Sequence, residues 1–239
     1  MLNEAQHVLR NRISDEVSLP DSHRETEVLL SFIYSLSGQI DDAKRAAIKG
    51  IETGSREKSG FVEAVGWIRR GHAEILDDPF DLETPENYYI KAVHRMEELN
   101  VSRGKAEPYM GLSLLKSRQG LFEDAISYGE KGLRETDKGN DYWLSAYILL
   151  CLTIVYFEKG EMEQAIQTAH EANRLFTSSG DVYEEMISHY WLMFIYAELG
   201  NNKVFVDHTE SLLPFVFSTI LAFSYLKRRY SGLSICKCI

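Results

Sequence analysis

The sequence predicts an all-α protein made of about five stacked helical hairpins, with a period of about 40 residues. Glycines recur at a nearly constant spacing, and an apolar stretch with helical periodicity precedes each of them. A small residue usually follows five positions later, and no segment shows the strict alternation of a strand. Because one hairpin cannot bury its apolar face alone, such a recurring unit is typical of a stacked array.

The glycines define the units. Gly120, Gly160 and Gly200 follow one another at a constant spacing of about 40 residues, and Gly38 lies two such periods before Gly120. Each is predicted to end the first helix of a hairpin in the left-handed conformation that glycine adopts without strain. The intervening unit is predicted to turn near Asp78, in an expanded stretch that carries prolines.

The second helix of each hairpin follows the glycine. Ala43, Ala125 and Ala165 lie five residues after their glycines, where the second helix must cross the first closely. Segments such as EDAISYGEKGLRE place apolar residues at i, i+3 and i+4 and leave charged residues on the outer face. After Gly200 the small residue is replaced by Phe205, so we expect the last hairpin to splay or to cap the stack.

The pattern divides the chain into three parts: residues 1–20, the end of a preceding helical unit; residues 21–217, the repeat array; and residues 218–239, a non-repeat helix or tail. The first part resembles a second helix without its partner. We therefore interpret the chain as a fragment of a longer protein, with a complete short protein as the alternative.

Composition and charge exclude several classes. The net charge is -10, and because residues 220–239 carry four basic residues and no acid, the remainder carries -14. Such a surface repels nucleic acid. Ser211–Leu226, one of the two longest uncharged runs, is interrupted by Pro214 and is shorter than the roughly 20 residues of a membrane span. We expect no membrane contact. The absent export signal and three unpaired-looking cysteines predict a cytoplasmic location.

Catalytic patterns are missing. The seven histidines form no His-Glu-x-x-His pair, and Cys236 and Cys238 have no second pair to complete a metal site. There is no nucleophile elbow, phosphate-binding loop or dinucleotide fingerprint. We expect no enzyme activity, no cofactor and no metal.

The order of apolar residues, glycine and alanine resembles the tetratricopeptide repeat. The residues that carry this resemblance are Leu30, Tyr34, Gly38, Ile40, Ala43 and Ala47; Leu112, Gly120, Phe122 and Ala125; Leu152, Tyr156, Gly160, Met162, Ala165 and Ala172; and Leu192, Tyr196 and Gly200. The usual period is about 34 residues. The longer period is more similar to the sensor repeats of the maltose-regulon activator and other large LuxR-type bacterial transcription regulators. The resemblance implies a right-handed α-α superhelix whose first helices line a concave groove.

The register of the resemblance implies a set of groove residues: Tyr147, Leu150, Ile154, Phe157, Tyr190, Phe194, Met110 and Arg118. Their apolar and aromatic character suits a peptide segment or a partner helix. The alternative for any one of them is packing between neighbouring hairpins. Beside them, Arg118 and the carboxylates of Glu158 and Glu198 occupy the same position on successive units, where they could orient a charged ligand or could simply be solvated.

The resemblance implies a non-catalytic sensor or interaction domain, part of a bacterial transcription regulator whose DNA-binding module lies outside this chain. Its groove would bind a protein, a peptide or a small ligand, and the array could form homo-oligomers. Direct contact with nucleic acid is not expected from this chain. The alternative function is a stand-alone scaffold or peptide receptor.

Overall fold

The computed structural model describes residues 24–78 and 80–212, and every regular element in these ranges is a helix. The helices are α1 (Thr26–Leu36), α2 (Ile40–Arg56), α3 (Gly60–Asp77), α4 (Glu83–Glu98), α5 (Ser102–Arg118), α6 (Phe122–Gly139), α7 (Tyr142–Lys159), α8 (Met162–Ser179), α9 (Val182–Glu198) and α10 (residues 202–212). The predicted all-α architecture is confirmed. The predicted parts 1–20 and 218–239 lie outside the described residues.

The helices pair as consecutive hairpins, and each helix from α1 to α8 packs against the next one along the chain. In the last hairpin α9 meets α10, where His189 lies against His208. The first helices α1, α3, α5, α7 and α9 contact one another in sequence as well. Among α2, α4, α6 and α8, no two second helices are in contact. The first helices therefore form one continuous layer of the stack, and its free face is the natural place for a site.

The turns of the hairpins follow the glycine prediction. Gly38, Gly120, Gly160 and Gly200 have φ values of 71°, 73°, 85° and 66°. At the fourth hairpin the N–H groups of Gly160 and Glu161 donate to the last free carbonyls of α7, at 3.0 and 2.9 Å. This pattern ends a helix and starts the next one in the opposite direction. The turn of the second hairpin follows Asp77, as predicted, and is longer.

The small residues after the turns are in the closest part of each hairpin. Ala43, Ala125 and Ala165 are fully buried, which confirms the predicted close crossing. In two hairpins the same hydrogen bond accompanies it: the Ser31 hydroxyl donates to the Ala43 carbonyl and the Ser113 hydroxyl to the Ala125 carbonyl, both at 2.8 Å. A larger side chain at these alanines would push the two helices apart.

In the second hairpin a large side chain on the second helix packs against glycines on two first helices. Tyr89 on α4 is fully buried between α3 and α5. Its ring occupies the space next to Gly71 on α3 and Gly111 on α5, and a Cβ atom at either glycine would overlap it. The two glycines therefore leave the space that the tyrosine ring occupies.

The apolar helix α7 is long enough to span a bilayer by length and composition, and it is the one helix of its kind within residues 24–78 and 80–212. Half of that stretch is buried inside the protein. The core helix of a helical stack meets the same criteria, because it is covered on both sides.

We expect Gly111→Ala to destabilise the protein by about 1–3 kcal/mol, because the fully buried Tyr89 ring cannot move away from the added methyl group. The control is Gly139→Ala at the end of α6, where nothing lies within 4 Å of the new Cβ atom. That change should be neutral or stabilising by up to about 1 kcal/mol. Urea unfolding measures both. Equal effects of the two substitutions would contradict the packing role of Tyr89.

Candidate functional site

The predicted groove residues lie on α5, α7 and α9, but they are not equally accessible. Met110, Leu150 and Tyr190 occupy the same position on these three helices, one period apart. Met110 is half-buried, Leu150 is 7% exposed and Tyr190 is 44% exposed. The exposed fraction of each side chain depends on which neighbouring helix packs over it.

Leu150 is covered by the next first helix. It belongs to a buried cluster with Ala172 and Phe176 of α8, and Ile187 and Trp191 of α9 pack against this cluster. For Leu150 the structure therefore shows the alternative left open by the sequence, packing between neighbouring hairpins. Met110 packs in the same way, against a cluster supplied largely by α7.

Aromatic side chains on α7 and α9 contact one another in edge-to-face or tilted arrangements and form what we call the aromatic row: Phe157, Trp191, Phe194 and Tyr190. The ring centres of Phe157 and Trp191 are 5.9 Å apart, those of Trp191 and Phe194 6.3 Å, and those of Phe194 and Tyr190 4.7 Å. Phe194 is 40% exposed, and Ile154 beside the row on α7 is half-buried. Sequence reasoning missed Trp191, which replaces the small residues Gly111 and Cys151 of the two preceding units.

Tyr147 links α7 to α9 rather than facing freely outward. Its hydroxyl donates to Glu184 Oε1 at 2.9 Å, and its ring lies edge-on to Phe176 at 5.3 Å. Burial raises the pKa of the Tyr147 hydroxyl well above its usual value, and the neighbouring Glu184 carboxylate adds to the effect. Trp143, one turn earlier, donates its Nε1 hydrogen to Asp181 at 2.8 Å and forms a second link that the sequence did not reveal.

A polar network connects α3, α4 and α5. The Tyr89 hydroxyl lies 2.6 Å from His72 Nδ1, His72 Nε2 lies 3.0 Å from Glu107 Oε1, and Arg69 donates to the same carboxylate oxygen. Burial opposes ionisation of Glu107, but Arg69 and His72 outweigh it and hold the pKa of the carboxyl far below its usual range. Each group has its partner inside the network, and Tyr89 is fully buried, so the network connects helices rather than presenting an acid or base to a substrate.

Charged residues stand at the ends of the first helices. Arg118 is exposed at the end of α5 and makes no hydrogen bond or ion pair with another described residue. On α7 the exposed Glu158 accepts a hydrogen bond from the Ser117 hydroxyl at 2.5 Å, and Glu198 is exposed at the end of α9. The predicted pattern of one basic and two acidic ends is therefore present at the surface.

Three histidines meet at the last hairpin. His170, His189 and His208 lie on α8, α9 and α10, at equal intervals along the chain. Nδ1 of His189 is 3.0 Å from Nδ1 of His208, and the ring centres of His170 and His208 are 5.9 Å apart. Burial lowers the pKa of all three, and the other two histidines help to lower that of His208 to about 4. The described residues contain no group of three or more side chains arranged to hold a metal ion.

Comparisons with known proteins support the fold. No family model matches the chain, and no curated protein matches it. Among solved structures, BtubC (BKLC) from P. vanneervenii is similar with a TM-score of 0.63 at 11% identity, over 100% of this chain and 92% of that one. A signal transduction ATPase with numerous domains and a tetratricopeptide repeat sensor, from Pyrococcus horikoshii, is similar with a TM-score of 0.65 at 13% identity.

The second likeness covers 91% of this chain and 33% of that one, so the chain spans a third of that protein. At such identities a likeness shows the fold alone. The chain has a helical-repeat fold like that of tetratricopeptide arrays, and the predicted α-α superhelix is confirmed.

Glu107→Gln should destabilise the protein by about 1–3 kcal/mol, because it leaves Arg69 and His72 without their charged partner inside the stack. The control is Glu171→Gln on α8, whose carboxylate pairs with Arg174 on the surface and should change stability by less than about 0.5 kcal/mol. Urea unfolding near neutral pH measures both. A change for Glu107→Gln no larger than that of the control would argue against the network.

The histidines predict that stability falls in acid. Their pKa values in the folded protein lie below the ordinary 6.5, so the unfolded chain takes up protons first as the pH falls. The stability contribution is complete above about pH 6.5 and is lost as the pH falls toward 4. The carboxylates of Glu185 and Asp207 favour protonated histidine and reduce the loss.

Because His189 and His208 are only half-buried and His170 is exposed, we expect a loss of roughly 1 kcal/mol between about pH 7.5 and pH 5 from these groups. His208→Gln should flatten the pH dependence of the free energy of unfolding, measured in urea. The control, His94→Gln on the exposed side of α4, should keep it. The same slope in both variants would show that the acid sensitivity arises elsewhere.

Proposed function

We propose that this chain is a non-catalytic interaction or sensor domain that binds a protein or peptide segment along the face of its first helices. The observation that carries the proposal is the aromatic row, which lies partly exposed across two consecutive first helices. Contiguous exposed apolar surface of this kind marks interaction sites in folded proteins.

The charges beside the row define the partner's chemistry. The acidic Glu158 and Glu198 favour basic residues in the partner, in line with the strongly negative array. Arg118, which has no partner among the described residues, can donate to a carboxylate of the bound segment. An amphipathic segment with apolar residues one turn apart and basic flanks fits this combination. A small ligand is a weaker fit, because a face with little enclosure gives it few contacts.

For the biological context we propose the sensor part of a cytoplasmic bacterial transcription regulator, with a DNA-binding module outside this chain. The period of about 40 residues and the likeness to the tetratricopeptide sensor of the signal transduction ATPase support it. Binding on the first helices would shift the curvature or self-association of the stack and thereby bias an output domain. The complete reading frame tests this context: an encoded helix-turn-helix or ATPase segment is expected.

A stand-alone scaffold or peptide receptor is the second candidate. The likeness to BtubC favours it, because that likeness extends over nearly the whole of both chains. The two contexts share the same binding face. They differ in whether loss of the partner changes transcription, so reporter assays on variants of the face separate them.

The binding face is tested by placing a photo-reactive phenylalanine analogue at Ile154 on α7 in the full chain, in the native cell. The control position is Gln167, exposed on the second helix α8. We expect a discrete cross-linked product with one other protein from position 154 and none from 167. The same products from both positions would contradict a specific face.

Arg118→Glu should weaken binding of that partner by about tenfold or more, because a charge-assisted hydrogen bond becomes a repulsion. The free energy of unfolding should change by less than about 0.5 kcal/mol, since the side chain is exposed. Arg134→Glu, a comparably exposed residue on the second helix α6, is the control and should keep full affinity. Titration calorimetry with the captured partner measures the affinity. Unchanged affinity would remove Arg118 from the site.

A further inference from the structure

α9 is the last of the described first helices. It exposes side chains whose counterparts in the preceding unit are covered. Tyr190 and Phe194 are four residues apart, so they lie on one face of α9, which we call the end face. Their counterparts one period earlier are Leu150, which is buried, and Ile154, which is half-buried. Those two have α9 beside them, whereas no described helix lies on the far side of α9. Among the described helices, the end face is thus a stacking surface that no further first helix covers.

From this difference we infer that the end face binds residues 215–229 of the same chain. This segment, FVFSTILAFSYLKRR, lies outside the described residues, and only its sequence enters the argument. Its first twelve residues are apolar or uncharged and its last three are basic. From Ser211 to the end of the chain there is no acidic residue. Such a composition matches an aromatic surface bordered by carboxylates.

The path of the chain places this segment within reach. His208 on α10 lies against both His189 and Tyr196 of α9, and the turn at Gly200, which has a positive φ, brings α10 back along α9. Residue 212, the last one described, is one turn beyond His208 and therefore lies beside the first half of α9. A segment that begins three residues later is tethered next to Tyr190, and such a tether gives an effective concentration on the order of millimolar.

Charge complementarity sets the direction. Successive first helices run parallel, because Tyr147 near the start of α7 bonds Glu184 near the start of α9, whereas Ser117 and Glu158 join the ends of α5 and α7. A segment bound in the same direction brings Lys227, Arg228 and Arg229 to the end of α9. Glu198 lies there, and Glu158 stands at the corresponding end of α7.

This inference goes beyond the proposed function and does not depend on it. If it holds, residues 215–229 cover Tyr190 and Phe194 of the aromatic row, and the part of the face that stays open lies on α5 and α7, around Arg118 and Glu158. Where the partner reaches α9, it must compete with residues 215–229. Residues 215–229 would then compete with an external partner for one end of the binding face.

The test uses the purified full chain with a photo-reactive phenylalanine analogue at Tyr190, and the same analogue at Phe61 as control. Phe61 lies on α3 and is 42% exposed, close to the exposure of Tyr190. After irradiation, mass spectrometry should identify cross-links from position 190 to peptides within residues 215–229, at several times the yield of such links from position 61. The cross-linked fraction should not change on dilution. A mixture of isotope-labelled and unlabelled chains should give no mixed products.

Three results would overturn the inference: mixed-isotope products, which indicate a second copy; links from position 190 that go only to parts of the chain outside residues 215–229; or no excess over position 61. A second variant tests the charges. Reversal of Lys227, Arg228 and Arg229 to glutamate should lower the yield from position 190 several-fold, and an unchanged yield would refute the direction assigned to the segment.

Discussion

No hairpin of this chain can bury its own apolar face, and the rest of the structure depends on that constraint. Each first helix has one side covered by its own second helix, and its remaining apolar side must be covered by the next hairpin. The clusters show this dependence directly. Leu150 of α7 is buried because α9 supplies Ile187 and Trp191, and Tyr89 is buried because it lies between α3 and α5. Stability in such a stack is shared between neighbours rather than stored in one core.

Polar contacts then determine how successive hairpins are aligned. Arg69 and His72 meet Glu107, Ser117 meets Glu158, and Tyr147 meets Glu184, each across two consecutive first helices. Apolar packing alone would tolerate a slide of one helix along another. A half-buried carboxylate with a specific donor does not, because a slide would leave it unpaired. The same contacts keep the first helices parallel and therefore keep the aromatic row continuous from α7 to α9.

Most of the fold could be predicted from the sequence because its determinants are local. A glycine with positive φ and an alanine five residues later act within one hairpin, so Gly160 and Ala165 are recognisable without knowledge of any neighbour. The site was less predictable. The exposure of Leu150 or Tyr190 depends on the helix one unit further on. Trp191 and the three histidines acquire their contacts only through the rotation between hairpins, which no single-unit pattern encodes. The equal spacing of the three histidines can be read from the sequence, but their mutual contact follows only from the packing of α8, α9 and α10.

In a stack of this kind, the exposure of a side chain depends on whether its unit lies in the interior or at the end of the stack. An equivalent side chain is buried in an interior unit and exposed in the last described one. An aromatic residue on α9 can therefore be at the surface for two reasons: it belongs to a binding site for an external partner, or the next layer of the stack normally covers it. A comparison of equivalent positions in successive units distinguishes these two reasons. Arg118 and Glu158 are exposed although a following first helix is present, and so their exposure is a property of the face itself. Tyr190 and Phe194 are exposed where the following layer is missing from the described helices, and their exposure is a property of the end. An external partner that binds the aromatic row must therefore displace whatever segment completes the stack over α9, whereas the part of the face on α5 and α7 is open to the partner in either case.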